Sequence, residues 1–366
     1  SCGGPAAFTY FLASNPADAS TTFRIAISLL RYQILTATLL SFFFSFLLTS
    51  GDTATVFRSA IIAAALPLAL ILQSYGLAML QGLQQYRAFN ISRILPQLLY
   101  TLLLLGWMQV FKTDLITFTG IITIASLLGA LGIWVAIWCT AQPKLLPRSA
   151  VATITRRRFV SFGLRSFLSA NSPIETMRVD QGVVGLLLAP VSLGYYVAAM
   201  SFSNAARFLT QSFGMIAVPA IASSSDRTLA RKKTLYYTSL GSGVSILAVV
   251  PLFVLAPDLI VRLFGDEFLA ALTATRLLLV AALLAGIRRL LADCLRGEGN
   301  PLVGSESEIV SLVMLLLCLP AFTYYFNFAG TAYAFVISAT VSLLFLPARL
   351  RYRHRFKMIP IPRLLS

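Results

Sequence analysis

The sequence predicts an all-α polytopic membrane protein, and three observations carry that reading. The chain is 58% hydrophobic and only 11% charged, with a mean hydropathy of +0.82. Soluble globular domains are typically about 45–50% apolar and about 25% charged, so this chain has too little charge to cover a water-soluble protein of its size. Second, the apolar residues form continuous Leu-, Ala- and Phe-rich runs, not the polar/apolar alternation of a barrel strand. Third, the 29 Lys and Arg residues exceed the 13 Asp and Glu, a formal charge of +16. In a soluble protein that excess would point to nucleic acid; between apolar runs it points to an anionic cytoplasmic leaflet. A soluble enzyme, a disordered chain and a nucleic-acid partner are excluded on these grounds.

A bilayer core of about 30 Å takes about 20 apolar residues per helix. Applied along the chain, that length marks spans at 25–48, 59–80, 91–111, 117–141, 161–188, 191–222, 235–264, 268–295, 303–323 and 330–347. A shorter apolar stretch ends near Ala13. The chain starts at Ser1, so this stretch reads as the remainder of a cut-off helix, with a first helix and part of the second missing. That makes about 11 visible transmembrane helices, 12 in the intact chain. Alternating the linkers inside and outside puts 22 of the cations on one side and two, Arg58 and Lys112, on the other. The rich side, with Arg288, Arg289 and Arg296 counted in it, is then cytoplasmic.

The domain reading is an N-terminal lobe at 1–141, a basic cytoplasmic linker at 142–160, a C-terminal lobe at 161–348 and a basic cytoplasmic tail at 349–366. Two similar turns support a duplication: Leu80-Gln81-Gly82 and Leu295-Arg296-Gly297 each end a span, and an apolar helix resumes about a dozen residues later. Internal repeats are a common plan among secondary transporters. No linker is long enough for a soluble domain, so the chemistry belongs to the helix bundle.

Catalytic and metal signatures are missing. His354, the sole histidine, lies in the basic tail, which leaves a Ser–His or Cys–His pair without a base. The four cysteines, Cys2, Cys139, Cys294 and Cys318, are far apart and read as small apolar residues. The expectation is a non-enzyme with no cofactor and no metal.

Polar residues within spans mark a hydrated interior. On the span 161–188, Asn171, Glu175 and Arg178 recur at i, i+4 and i+7 and share one helix face; Asn204, Arg207 and Gln211 recur at i, i+3 and i+7 and share a face of the next. Arg276 lies about nine residues into its own span. Together these seven are the candidate substrate-binding residues. Surplus guanidinium groups suit a phosphate or pyrophosphate and disfavour an organic cation. In the first half, Asp18, Asp52 and Asp114 all fall in linkers.

Several loose motifs in a particular order carry a resemblance. They are Phe162-Gly163-Leu164, Arg178-Val179-Asp180-Gln181, Leu193-Gly194-Tyr195-Tyr196-Val197-Ala198, Val218-Pro219-Ala220-Ile221, Phe264-Gly265-Asp266-Glu267-Phe268 and Leu295-Arg296-Gly297, with Gly4-Pro5-Ala6 and Tyr10-Phe11-Leu12-Ala13 at the start. The chain resembles the polysaccharide biosynthesis/export flippases, the O-antigen-type members of the multidrug/oligosaccharidyl-lipid/polysaccharide exporter superfamily. The resemblance implies two six-helix lobes around a central cavity. It implies translocation of undecaprenyl-diphosphate-linked oligosaccharide, the repeat units of O-antigen or exopolysaccharide, from the cytoplasmic to the outer leaflet of the inner membrane. The partners it implies are that lipid-linked oligosaccharide, the bilayer, and polysaccharide polymerase and assembly proteins. The alternatives within the superfamily are a lipid II-type flippase and a multidrug or cation exporter.

Overall fold

A computed structural model describes residues 3–47, 53–110, 114–141, 154–176 and 178–356. Among them the secondary structure is helical, with no strand. Asp52, Lys112, Lys144, Arg148, most of the expected linker and the last ten residues of the expected tail lie outside the described residues. The chain divides into two compact units, residues 1–164 and 165–366.

In the first unit α1 (Gly4–Ser14) and α2 (Ala19–Leu47) flank a short 3-10 turn, Pro16–Asp18. The expected span 59–80 is divided between α3 (Thr53–Ala63) and α4 (Leu66–Gly82). Pro67 explains the restart: a proline fits the first helical turn, where its missing N–H costs nothing. Then come α5 (Tyr86–Met108) and α6 (Leu115–Ala141). Outside the span, Asp114 caps α6: the Thr117 side chain and backbone N–H (2.8 Å) both bond its carboxylate, holding it below the usual carboxylate range. Phe8 of α1 packs against Tyr75 of α4, ring centroids 6.2 Å apart, and Thr9 donates to the Ala78 carbonyl at 3.1 Å. The Gln73 side chain donates to the Ser126 carbonyl at 2.7 Å, which ties α4 to α6. Asp18 is not a solvated linker acid: it is 5% exposed, at the start of an apolar span.

α7 (Arg156–Ala170) begins in the first unit and ends in the second; its first five residues lay in the expected linker. The second unit continues with α8 (Val179–Leu187), α9 (Pro190–Ala222), α10 (Arg227–Val254) and α11 (Ala256–Phe264). A 3-10 segment, Asp266–Ala271, leads to α12 (Leu272–Gly297) and α13 (Pro301–Phe356). The expected span 235–264 is therefore two helices, α10 and α11. Arg227, Arg231, Lys232 and Lys233, expected in a linker, stand on the first turns of α10. α13 is a hairpin. The chain reverses at Asn327, in the left-handed region at φ 51°, and Ser338 on the second arm donates to the Ser311 carbonyl of the first at 2.7 Å. Nearer the open end, Arg349 grips Glu306 with two bonds of 2.9 and 3.1 Å. The two arms match the expected spans 303–323 and 330–347. Eight helices among the described residues are long and apolar enough to cross a membrane, with this hairpin counted once.

The two similar turns are the same structure. After Gly82, Gln84 N–H bonds Gln81 O (3.0 Å) and Gln85 N–H bonds Leu80 O (2.9 Å). After Gly297, Gly299 N–H bonds Arg296 O (3.0 Å) and Asn300 N–H bonds Leu295 O (2.9 Å). Both are Schellman-type ends, with Gln84 and Gly299 at φ 59° and 82°. Each glycine lets a neighbouring backbone approach. A Cβ on Gly82 would lie 3.0 Å from Thr9 O, and one on Gly297 would lie 2.9 Å from Val218 O. Thus α4 against α1 repeats as α12 against the end of α9.

These contacts predict that Gly82→Ala and Gly297→Ala each destabilise the protein by about 1–3 kcal/mol through overpacking against backbone. Gly106→Ala, at a helix position with open space around it, should be neutral or stabilise by up to about 1 kcal/mol. Thermal unfolding of the three purified variants in one detergent checks the order.

Candidate functional site

The expected span 161–188 is broken. Residues 171–176 and Arg178 are outside the helices α7 and α8. Pro173 lacks an N–H and its ring collides with the carbonyl four residues back. Ser172 offers the backbone a substitute: its Oγ accepts from Glu175 N–H at 3.2 Å. The segment ends at Arg178, itself left-handed at φ 53°, a conformation that costs a non-glycine residue about 1–2 kcal/mol. Asn171, Glu175 and Arg178 therefore do not share a helix face. Discontinuous helices are a recurrent way for transporters to expose backbone and side chains at a binding site.

α12 holds this segment in place. Arg288 pairs with Glu308 of α13, and Glu308 also accepts from Ser172. All three are nearly inaccessible, and Arg288 donates further to Ser307 at 3.4 Å. Arg289 pairs with Glu175 at 3.3 Å and caps α7 by donating to Ala170 O at 3.1 Å. Asp293 lies 3.8 Å from Arg289 and 2.9 Å from Arg296. Gly214 of α9 makes room for Asp293, since a Cβ there would collide with its carboxylate. Arg288, Arg289 and Arg296, counted in a cytoplasmic linker by the charge pattern, are thus inside the unit on α12.

Arg207 of α9 joins this cluster: it is 6% exposed, and Glu175, Arg207 and Arg288 line one small cavity. No carboxylate among the described residues lies within 4.0 Å of it, and its Nε is buried without a hydrogen bond. The cavity has a volume of about 20 Å³ and is bordered also by Ser172, Ser311 and Ser338, room for about one water. Gln211 bonds the Glu175 side chain. Around Glu175, four guanidinium groups (Arg207, Arg288, Arg289, Arg296) meet three carboxylates, a surplus of one positive charge.

The other candidates fall elsewhere. Arg178 donates to Asn204 at 3.4 Å. Asn171 donates back to Phe167 O at 3.2 Å, within its own helix end. Arg276 donates to Phe253 O at 3.4 Å, its guanidinium 5.2 Å from that residue's ring centroid, and none of the cluster residues contacts it. Asp180 is 1% exposed; one oxygen accepts from Tyr196 at 2.6 Å and the other has no hydrogen bond. The residues missed from sequence are Ser172, Arg288, Arg289, Asp293, Arg296 and Glu308. A signal existed for most of α12: Arg289, Asp293 and Arg296 recur at i, i+4 and i+7 on one face.

The fold and this polar interior define a class, the helical multi-pass membrane protein with a transporter's architecture. An outward-facing multidrug resistance MATE family transporter of the MOP superfamily superposes with a TM-score of 0.74 at 16% identity, over 98% of this chain and 84% of that one. MATE structures in a straight and a bent conformation superpose at 0.73 and 0.71, both at 14% identity, over 97% and 98% of this chain and 84% and 85% of those. Residues 15–273 match the profile of the polysaccharide biosynthesis protein family, and the chain belongs to that family. No curated protein matches the chain.

Breaking one side of the buried pair should be costly. Glu308→Gln leaves Arg288 uncompensated, and the expected loss is about 3–5 kcal/mol. Replacing both, as Arg288→Met with Glu308→Leu, should recover most of it. Thermal midpoints of the single and double variants check this.

Proposed function

We propose that the protein is a flippase. It translocates undecaprenyl-diphosphate-linked oligosaccharide units from the cytoplasmic to the outer leaflet by alternating access, and it performs no bond chemistry. It works in the cytoplasmic membrane, with its basic loops and C-terminus inside, alongside polysaccharide polymerase and assembly proteins. The observation that carries this is Arg207, a buried guanidinium with no carboxylate within 4.0 Å among the described residues and an Nε without a hydrogen bond. Membership of the polysaccharide biosynthesis family and the transporter fold support the same reading. A doubly negative headgroup supplies what Arg207 lacks, and a guanidinium can grip phosphate oxygens in pairs. Arg178 and Asn204, on the broken segment and α9, are the next contacts for pyrophosphate or sugar, with Gln211 and Asn171 at the edge of the same region. Glu175 tethers Arg289 and keeps the cluster from overcharging. Arg276 would act at a distance from these groups. An inside-negative membrane helps expel an anion, by about 2.3 kcal/mol per charge per 100 mV. A lipid II-type substrate poses the same pyrophosphate problem.

A cation exporter is a second reading, and one observation favours it: Asp180 is a buried carboxylate with an unbonded oxygen. Deletion of the gene separates the two. A flippase mutant accumulates lipid-linked oligosaccharide on the inner leaflet; an exporter mutant instead becomes drug-sensitive with normal surface polysaccharide.

Arg207→Met gives the sharper outcome. Removing an unpaired buried cation should leave the thermal midpoint unchanged or raised. Complementation of the deletion should fall by roughly tenfold or more, the worth of one charge-assisted hydrogen bond of about 1.5–3 kcal/mol. Full complementation by Arg207→Met would remove Arg207 from the substrate path.

A further inference from the structure

A second cationic site lies in the same unit, away from the cluster around Glu175. α10 begins at Arg227, α12 ends at Gly297 and α13 begins at Pro301. Where these three ends meet there is a cleft of about 570 Å³, within the range of small-molecule sites, about 300–1,000 Å³. Its lining is two-sided. Arg227 and Arg231, one turn apart on α10, form the charged side; Leu291, Leu295 and Leu350 form the apolar side. Both arginines are exposed, and neither lies within 4.0 Å of a carboxylate among the described residues. The one acid in the lining, Glu298, accepts a hydrogen bond from Thr234 at 2.6 Å. Two nearby cations are committed: Arg296 to Asp293, and Lys233 to the Ala220 carbonyl at 2.7 Å. The cleft thus keeps one net positive charge beside three leucines, at the ends of helices long and apolar enough to cross a membrane.

We propose that this cleft binds the phosphodiester headgroup of an anionic bilayer phospholipid. The phosphate sits between Arg227 and Arg231, and the glycerol and first acyl carbons rest on Leu291, Leu295 and Leu350. The leucines decide between the two sources of phosphate. A free phosphate ion would use the arginines and leave the apolar wall wet; a lipid covers both. One phosphodiester charge matches the net charge of the lining, whereas a zwitterionic lipid leaves it uncompensated. This site does not depend on what the transporter carries.

Native mass spectrometry of the full purified chain tests it, using dioleoyl phosphatidylglycerol and dioleoyl phosphatidylcholine, which share their acyl chains. The protein should retain the anionic lipid with about a tenfold preference, and the double variant Arg227→Gln, Arg231→Gln should lose it. Lys232→Gln, which removes one positive charge from the same helix end but outside the lining, should keep it. Equal retention of the two lipids, or an equal loss in Lys232→Gln, would overturn the site in favour of diffuse surface charge. A thermal shift produced by inorganic phosphate as large as that by phosphatidylglycerol, abolished in the double variant, would overturn the lipid assignment. If the double variant fails to purify, Arg231→Gln alone should lower the preference severalfold; no change would count against the cleft.

Discussion

The pairing of Arg288 with Glu308 is the interaction on which the second unit depends. Each is almost wholly removed from solvent, and either alone inside an apolar bundle would be prohibitive. Together they tie α12 to α13, and through Ser172 they reach the segment where the α7–α8 helix comes apart. The backbone there keeps one helix-type bond, from Thr176 N–H to the Ser172 carbonyl at 2.8 Å, but no continuous helix. It persists because Arg289 caps the end of α7 and Ser172 and Asn171 bond the chain locally. The broken helix and the buried ion pairs are thus one device: the unwound segment supplies polar partners, and the ion pairs hold it unwound.

Within that device Arg207 stands out by subtraction. Glu175, Asp293 and Glu308 are all taken by arginines of α12, so α9 brings a fourth guanidinium to a cluster with no acid left for it. A bundle selected only for stability would place an apolar residue there. That leftover charge is the observation on which the proposed anionic substrate rests.

The two units repeat the same turn. The close approach of α4 to α1 at Gly82 recurs in α12 and α9 at Gly297, down to the pair of reversed hydrogen bonds that end each helix. Only part of the chemistry is repeated. The first unit's α4 has Gln73 and Tyr75 hydrogen-bonding to a carbonyl and to Gln33, whereas α12 carries four arginines and an aspartate. Among the described residues the ion pairs all lie in the second unit.

Composition and run length alone determined that this is a multi-pass helical membrane protein, because a bilayer tolerates no other backbone for runs so apolar and so long. The Leu-x-Gly echo was legible for a similar reason: only glycine permits that approach of two backbones, so the residue marks the geometry. The site was legible only in part. Glu175, Arg207 and Gln211 were visible as rare polar residues in apolar runs. Periodicity, however, assumes an unbroken helix, and Pro173 with its polar neighbours ends one, so the shared face of Asn171, Glu175 and Arg178 does not exist. Charge counting, likewise, cannot tell a cation at a membrane surface from one buried beside an acid more than a hundred residues away. That is why Arg289 and Glu175, 114 residues apart, meet only in the tertiary structure. Which arginines are neutralised, and which one is left over, depends on how the helices pack.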